Sequence, residues 1–149
     1  MVTKYEPKIK KDFISHPYHV WYLAHPIAAD GEYSTEENLE HARKVLRLFL
    51  EAGIYVTAPW IPACEVLDDT NVDHRRLGLD IDTTIVSHLR KLILTGHRVS
   101  EGMYREIAAI EIVGGWVVDL TGIPDHRLVG EVLKAPLLPH LKETHVKNR

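Results

Sequence analysis

Residues Leu92-Ile93-Leu94-Thr95-Gly96-His97-Arg98-Val99-Ser100-Glu101-Gly102-Met103-Tyr104-Arg105-Glu106 pass from an apolar run into a helix-patterned segment. The run has the composition of a buried strand, Ser100 suits a helix N-cap, and Gly102 leaves backbone that a ligand can approach closely. Glu106 then stands in the first or second helical turn, at the end of the sheet where open α/β folds bind ligands. The helix N-terminus favours an ionised carboxylate there, suiting it to nucleophilic or base work without burial. The same residues also read as an ordinary capped helix with a solvated glutamate.

Outward from this stretch, strand and helix signals alternate. Residues 19–24 are β-branched and aromatic enough for a first strand, followed by the turn-rich loop 25–31. Ser34 or Thr35 caps a helix whose apolar residues Leu39, Ala42, Val45, Leu46, Phe49 and Leu50 repeat at helical spacing, with Gly53 at its C-terminal end. Residues 54–58 suit a second strand. Pro59, Pro62 and the acidic residues 65–73 predict a long loop of functional weight. A second helix covers at least residues 81–89, a third strand 92–95, a third helix 100–113 and a fourth strand 116–120. Pro124 to Lys134 suits a short helix. This order predicts a single-domain, Rossmann-like α/β fold, a parallel sheet of four to five strands flanked by helices. The domain is expected over residues 18–135, with an N-terminal arm (1–17) and a C-terminal tail (136–149).

The 149 residues, 45% hydrophobic and 26% charged, suffice for one buried core and are too few for two ordinary domains. A net charge of -3 provides no basic field for nucleic acid or an anionic membrane, so a small molecule is the better partner. No segment has the roughly 18 continuous apolar residues of a membrane span, and the polar start lacks a signal-peptide core, which predicts a cytoplasmic protein. The lone Cys64 reads as a small buried hydrophobe. Among ten histidines, His16 with His19 and His140 with His145 are close in sequence, but neither pair has the further ligands of a zinc site. No G-x-G-x-x-G, P-loop or nucleophile elbow is present. Trp21 and Trp116 read as core, and Trp60, beside Pro59, as a wall on which a base could stack.

The ordered set resembles the nucleoside 2-deoxyribosyltransferase superfamily over residues 20–120, closest to its 5'-monophosphate N-glycosidase branch. The matching elements are Tyr22-Leu23-Ala24-His25-Pro26, Pro59, Asp82, the 92–94 strand, then Gly96, Ser100, Gly102 and Glu106, with Ala108, Ala109 and the last strand behind them. The resemblance implies that Glu106 attacks the anomeric carbon of a (deoxy)ribose, that Tyr22 orients it, and that Asp82 protonates the leaving base. Asp80 lies close enough to contest that last role. A Ser at 100, with Gly102 and the helix start, implies phosphate and hence a nucleotide over a nucleoside. The loop arginine of the phosphate-binding enzymes is missing, Ile27-Ala28-Ala29 standing in its place, and His25, His97 or Arg98 are the available substitutes. Gly96, His25 and Trp60 complete the expected substrate contacts. No metal or organic cofactor is required, because the carboxylate supplies the covalent step. The resemblance also implies a homo-oligomer. A non-catalytic nucleotide-binding module of the same fold, or a glycohydrolase for another ribosyl compound, are the alternatives.

Overall fold

A computed structural model describes residues 19–134. The expected arm and tail, and the histidines at 16, 140 and 145, lie outside the described residues. Four strands, β1 (Trp21–Ala24), β2 (Val56–Thr57), β3 (Lys91–Leu94) and β4 (Trp116–Asp119), form one sheet in the order β2-β1-β3-β4, every pair parallel. The helices are α1 (Thr35–Glu51), α2 (Trp60–Val66), α3 (Val72–Leu89), α4 (Glu101–Val113) and α5 (Asp125–Lys134). The expected α/β Rossmann-like sheet is therefore present, with four strands.

β1 and β3 lie at the centre of the sheet and are covered on both faces. All four residues of β1 are buried, as are Leu92, Ile93 and Leu94 of β3, which explains why these segments are apolar runs without alternation. Period two along β1 gives the two faces different tasks. Tyr22 faces Asp82 of α3 and Glu106 of α4, whereas His25, three residues on, faces His41 of α1. Phe49 and Val45 of α1 are wholly buried, and full burial of such a side chain is worth roughly 1.5–3 kcal/mol.

The N-caps follow the sequence. Ser34 accepts the Glu37 N–H at 3.1 Å while Glu37 accepts the Ser34 N–H at 2.9 Å, a reciprocal capping box. Gly53, at φ +80, follows the last turn of α1. One expectation fails: residues 59–73 are not a long loop. α2 occupies residues 60–66 of that span, and α3 begins at Val72, capped by the Asn71 side chain. Pro59 precedes the first helical residue, and Pro62 stands third, where a helix N–H has no partner within the helix, so neither proline breaks α2. The second strand is also shorter than expected. It is an edge strand in which only Val56 and Thr57 pair with β1; Ile54 and Ala58 are buried without joining the ladder.

Candidate active site

The chain leaves β1 for β2 on one side and crosses back to β3 on the other, so the C-terminal ends of β1 and β3 form a topological switch point. Thr95, fully buried, ties those ends together: its N–H and its hydroxyl both donate to the Ala24 carbonyl, at 2.9 and 2.8 Å. The Trp60 indole N–H donates to the Leu23 carbonyl at 2.8 Å, which extends the ladder past the end of β2 and fixes the ring. Above these ends lies a cavity of about 320 Å³. α2 and α3 line one side with Trp60, Leu67, Gly78 and Asp82; Ser100, Gly102 and Glu106 of the α4 start line the other.

Asp82 and Glu106 meet around the hydroxyl of Tyr22. Tyr22 is wholly buried, and its hydroxyl and Oδ1 of Asp82 are buried without a hydrogen bond of standard geometry. The hydroxyl nevertheless stands close enough to favour the ionised form of both carboxyls. Burial works against that. It raises Asp82 to about 6, and it raises Glu106 to about 8, with Asp82's negative charge adding to the effect on Glu106. Burial and the two carboxylates push Tyr22 far above the ordinary phenol range. Glu106 is thus buried, neither the solvated helix residue of the ordinary reading nor the carboxylate whose ionised form the helix start is expected to favour. It is 7% exposed, in the second turn of α4, where desolvation outweighs the pull of the helix N-terminus. Asp80, the contender, is exposed and outside the cavity lining.

The remaining expected contacts divide into two groups. Ser100 is the N-cap of α4: its oxygen accepts the Met103 N–H at 3.3 Å, which leaves its O–H free to donate into the cavity, beside first-turn N–H groups with no partner in the helix. Gly102 and Trp60 also line the cavity. His25 lines it too, but both of its nitrogens are engaged, Nδ1 with the Pro26 carbonyl at 2.7 Å and Nε2 with His41 at 2.7 Å. Gly96 does not line the cavity. At φ +96, with a β-carbon position 2.4 Å from Pro26 Cδ, it lets the loops after β3 and β1 cross in contact.

His97 and Arg98, two of the expected anion-binding residues, are committed to Asp30. Asp30 Oδ2 accepts from His97 Nε2 at 2.6 Å and from Arg98 Nε at 2.7 Å, and Arg98 also donates to the Ala28 carbonyl. The Arg98 contact, followed by the Tyr33 and Glu32 N–H groups, holds Asp30 well below the usual carboxylate range. Arg75 and Arg105 also line the cavity and are exposed. Cys64 is half-buried in the wall, and burial with the nearby acidic residues raises its thiol to about 11, so it stays protonated and inert. The sequence pointed to neither Asp30, His41 nor Asp125. Asp30 stands in a turn-rich loop where aspartate needs no special explanation, and the two others meet only through the packing of α1 on α5.

Fold and site together define a single-sheet α/β protein with a buried carboxyl pair in a switch-point cavity. Residues 19–115 match the family described as a domain of unknown function, DUF7768, and the chain belongs to that family. The match runs from β1 through α4, so it includes every residue of the Tyr22, Asp82 and Glu106 cluster. No curated protein and no solved structure matches the chain. Among the described residues, no helix is long and apolar enough to cross a membrane.

Proposed function

We propose that the protein cleaves the N-glycosidic bond of a (deoxy)nucleoside 5'-monophosphate or nucleoside, with Glu106 as nucleophile and Asp82 as acid. One observation carries this: Glu106 and Asp82 line one cavity beside the start of α4, with the buried Tyr22 hydroxyl set against both. The resemblance to the nucleoside 2-deoxyribosyltransferase superfamily, in the same residues, adds support. A Glu106 oxygen bonds to the anomeric carbon as the carbon–nitrogen bond breaks, and the bonding pair leaves with the base, which takes the Asp82 proton. Water or a second base then attacks the same carbon, returns a proton to Asp82 and frees Glu106.

The pair's proton count fits these roles. Between about pH 6 and about 8, the two carboxyls together hold one proton and one negative charge. Burial favours that proton on Glu106. Positive charge developing on the sugar draws the negative charge to Glu106, where the Tyr22 hydroxyl stabilises it, and leaves the proton on Asp82. Ser100 and the first-turn N–H groups of α4 would take the phosphate. Neither metal nor organic cofactor enters this chemistry, and assembly as a homo-oligomer belongs to the same proposal.

A second reading, a non-catalytic nucleotide-binding module, is favoured by the commitment of His97 and Arg98 to Asp30. Chromatography of base release from common deoxynucleosides and their 5'-monophosphates, with and without a second free base, separates the two. Release from monophosphates alone supports hydrolysis, and dependence on a second base supports transfer. Binding without release from any substrate overturns the enzymatic reading and selects the module.

A further inference from the structure

We propose that Gly78 is a specificity-determining residue: the space it leaves one helical turn ahead of Asp82 receives a planar nitrogen heterocycle, a purine in preference to a pyrimidine. The proposal rests on the glycosidic reading only in calling that heterocycle the leaving group. Gly78 lies within α3, four residues before Asp82, and lines the cavity. Nothing in the fold requires glycine there. Its φ is not positive, and an added β-carbon would meet only Leu67 Cδ1, at an ordinary 3.6 Å. Glycine is the poorest helix former after proline, so α3 is weakened for no gain in backbone geometry or packing. What glycine preserves is room.

The room lies where a ligand would use it. Helical side chains lean toward the helix N-terminus, so Asp82 reaches back over the turn that begins at Gly78. α4 repeats the device: Gly102 precedes Glu106 by four residues, lines the same cavity, and an added β-carbon would come no closer than 4.0 Å to Ser100 Oγ. Each carboxyl of the pair therefore has an open turn ahead of it. Beneath the lining, the wholly buried Tyr22 hydroxyl lies against both carboxyls and backs the Asp82 side chain. Leu67 stands beside Gly78, and the lining they share includes Leu79, Ala63 and Trp60, whose indole N–H is already used by Leu23, with His74 and Arg75 one turn earlier on α3. Apolar walls with a carboxyl at one edge suit a flat ring that carries nitrogen on its rim.

The test uses the full chain, with free adenine and free cytosine as probes in titration calorimetry, and Gly130→Ala as control. Gly130 is exposed in α5 with open space around it. Both alanine variants should raise Tm by roughly 2–4 °C. Gly78→Ala should weaken adenine about tenfold and cytosine less than about twofold, the effect of one added methyl in a fitted slot, and Gly130→Ala should change neither. Equal affinities in Gly78→Ala and the unaltered protein, or no binding of either base to the unaltered protein, overturn the proposal. The expected pattern without base release from any nucleoside or nucleotide leaves the slot standing and removes the glycosidic reading. Base release with unaltered substrate preference in Gly78→Ala does the reverse.

Discussion

Nε2 of His25 and Nδ1 of His41 lie 2.7 Å apart, in an array whose two ends are both acceptors. His25 Nδ1 donates to the Pro26 carbonyl, and His41 Nε2 donates to Asp125 at 2.9 Å. Those bonds fix two ring protons outward, so the bond between the rings needs a third. Burial keeps His25 neutral, lowered to about 4, so its Nε2 is the acceptor of the bond between the rings. His41→Leu should cost about 1–3 kcal/mol at neutral pH by leaving His25 unpaired, and adding Asp125→Asn should cost little more. A double-mutant cycle in urea checks this; additive losses would mean two independent bonds. The sign with pH is also fixed. His25 titrates lower in the folded chain than its ordinary 6.5, so its contribution is complete above about 6.5 and lost as pH falls toward about 4.

Asp30 joins the two loops that border the switch point. It receives His97 and Arg98 from the loop after β3 and the N–H groups of Glu32 and Tyr33 from its own loop. Asp30→Ala should speed amide hydrogen exchange in residues 27–33 and 96–99 together, leaving β1 and β3 as protected as before. Faster exchange in one loop alone would show that the carboxylate does not couple them. Freed Arg98 should also strengthen inorganic phosphate binding, which calorimetry can follow.

Much of this was legible in the chain. Central parallel strands read as apolar runs because both faces are covered, and Ser34, Ser100 and Gly53 announce helix ends by chemistry that acts within a few residues. α2 was hidden because Pro59 and Pro62 are loop signals unless their positions in the first turn are known. Sequence placed Glu106 at a helix start but not its burial, which depends on how closely α3 packs against α4. His41 and Asp125, separated by 84 positions, meet only in the folded chain.

Ser100 combines two tasks that substitution can separate. As N-cap it accepts the Met103 N–H, and loss of that bond in Ser100→Ala should cost about 1 kcal/mol, whereas Ser100→Gly should cost only a few tenths. If the hydroxyl also donates to phosphate, both variants should weaken monophosphate use alike, by about tenfold, and leave nucleoside use nearly unchanged. Kinetics that follow stability, with alanine worse than glycine on both substrate classes, would reduce Ser100 to a cap.

Glu106 should show opposite signs in stability and activity. Its carboxyl is raised from 4.5 to about 8, so the folded chain binds more protons than the unfolded one between those values, and stability falls as pH rises through that window. The contribution is fully present below about 4.5 and lost above about 8. Glu106→Gln removes the cost of ionising a buried group while keeping size and polarity. Its Tm should match the unaltered protein near pH 4.5 and exceed it near pH 9 by roughly 5–10 °C, the equivalent of a few kcal/mol in a chain of this size. Base release should fall by about a thousandfold or more, with ligand affinity within about tenfold, because a nucleophile acts on the transition state. Asp82→Asn, at a carboxyl raised only to about 6, should show the smaller stability gain and should spare substrates with good leaving groups. Scanning calorimetry across pH and base-release kinetics decide the matter together. A Glu106→Gln protein that gains stability at high pH yet turns over normally would leave the buried carboxyl as a structural acid and move the nucleophile elsewhere.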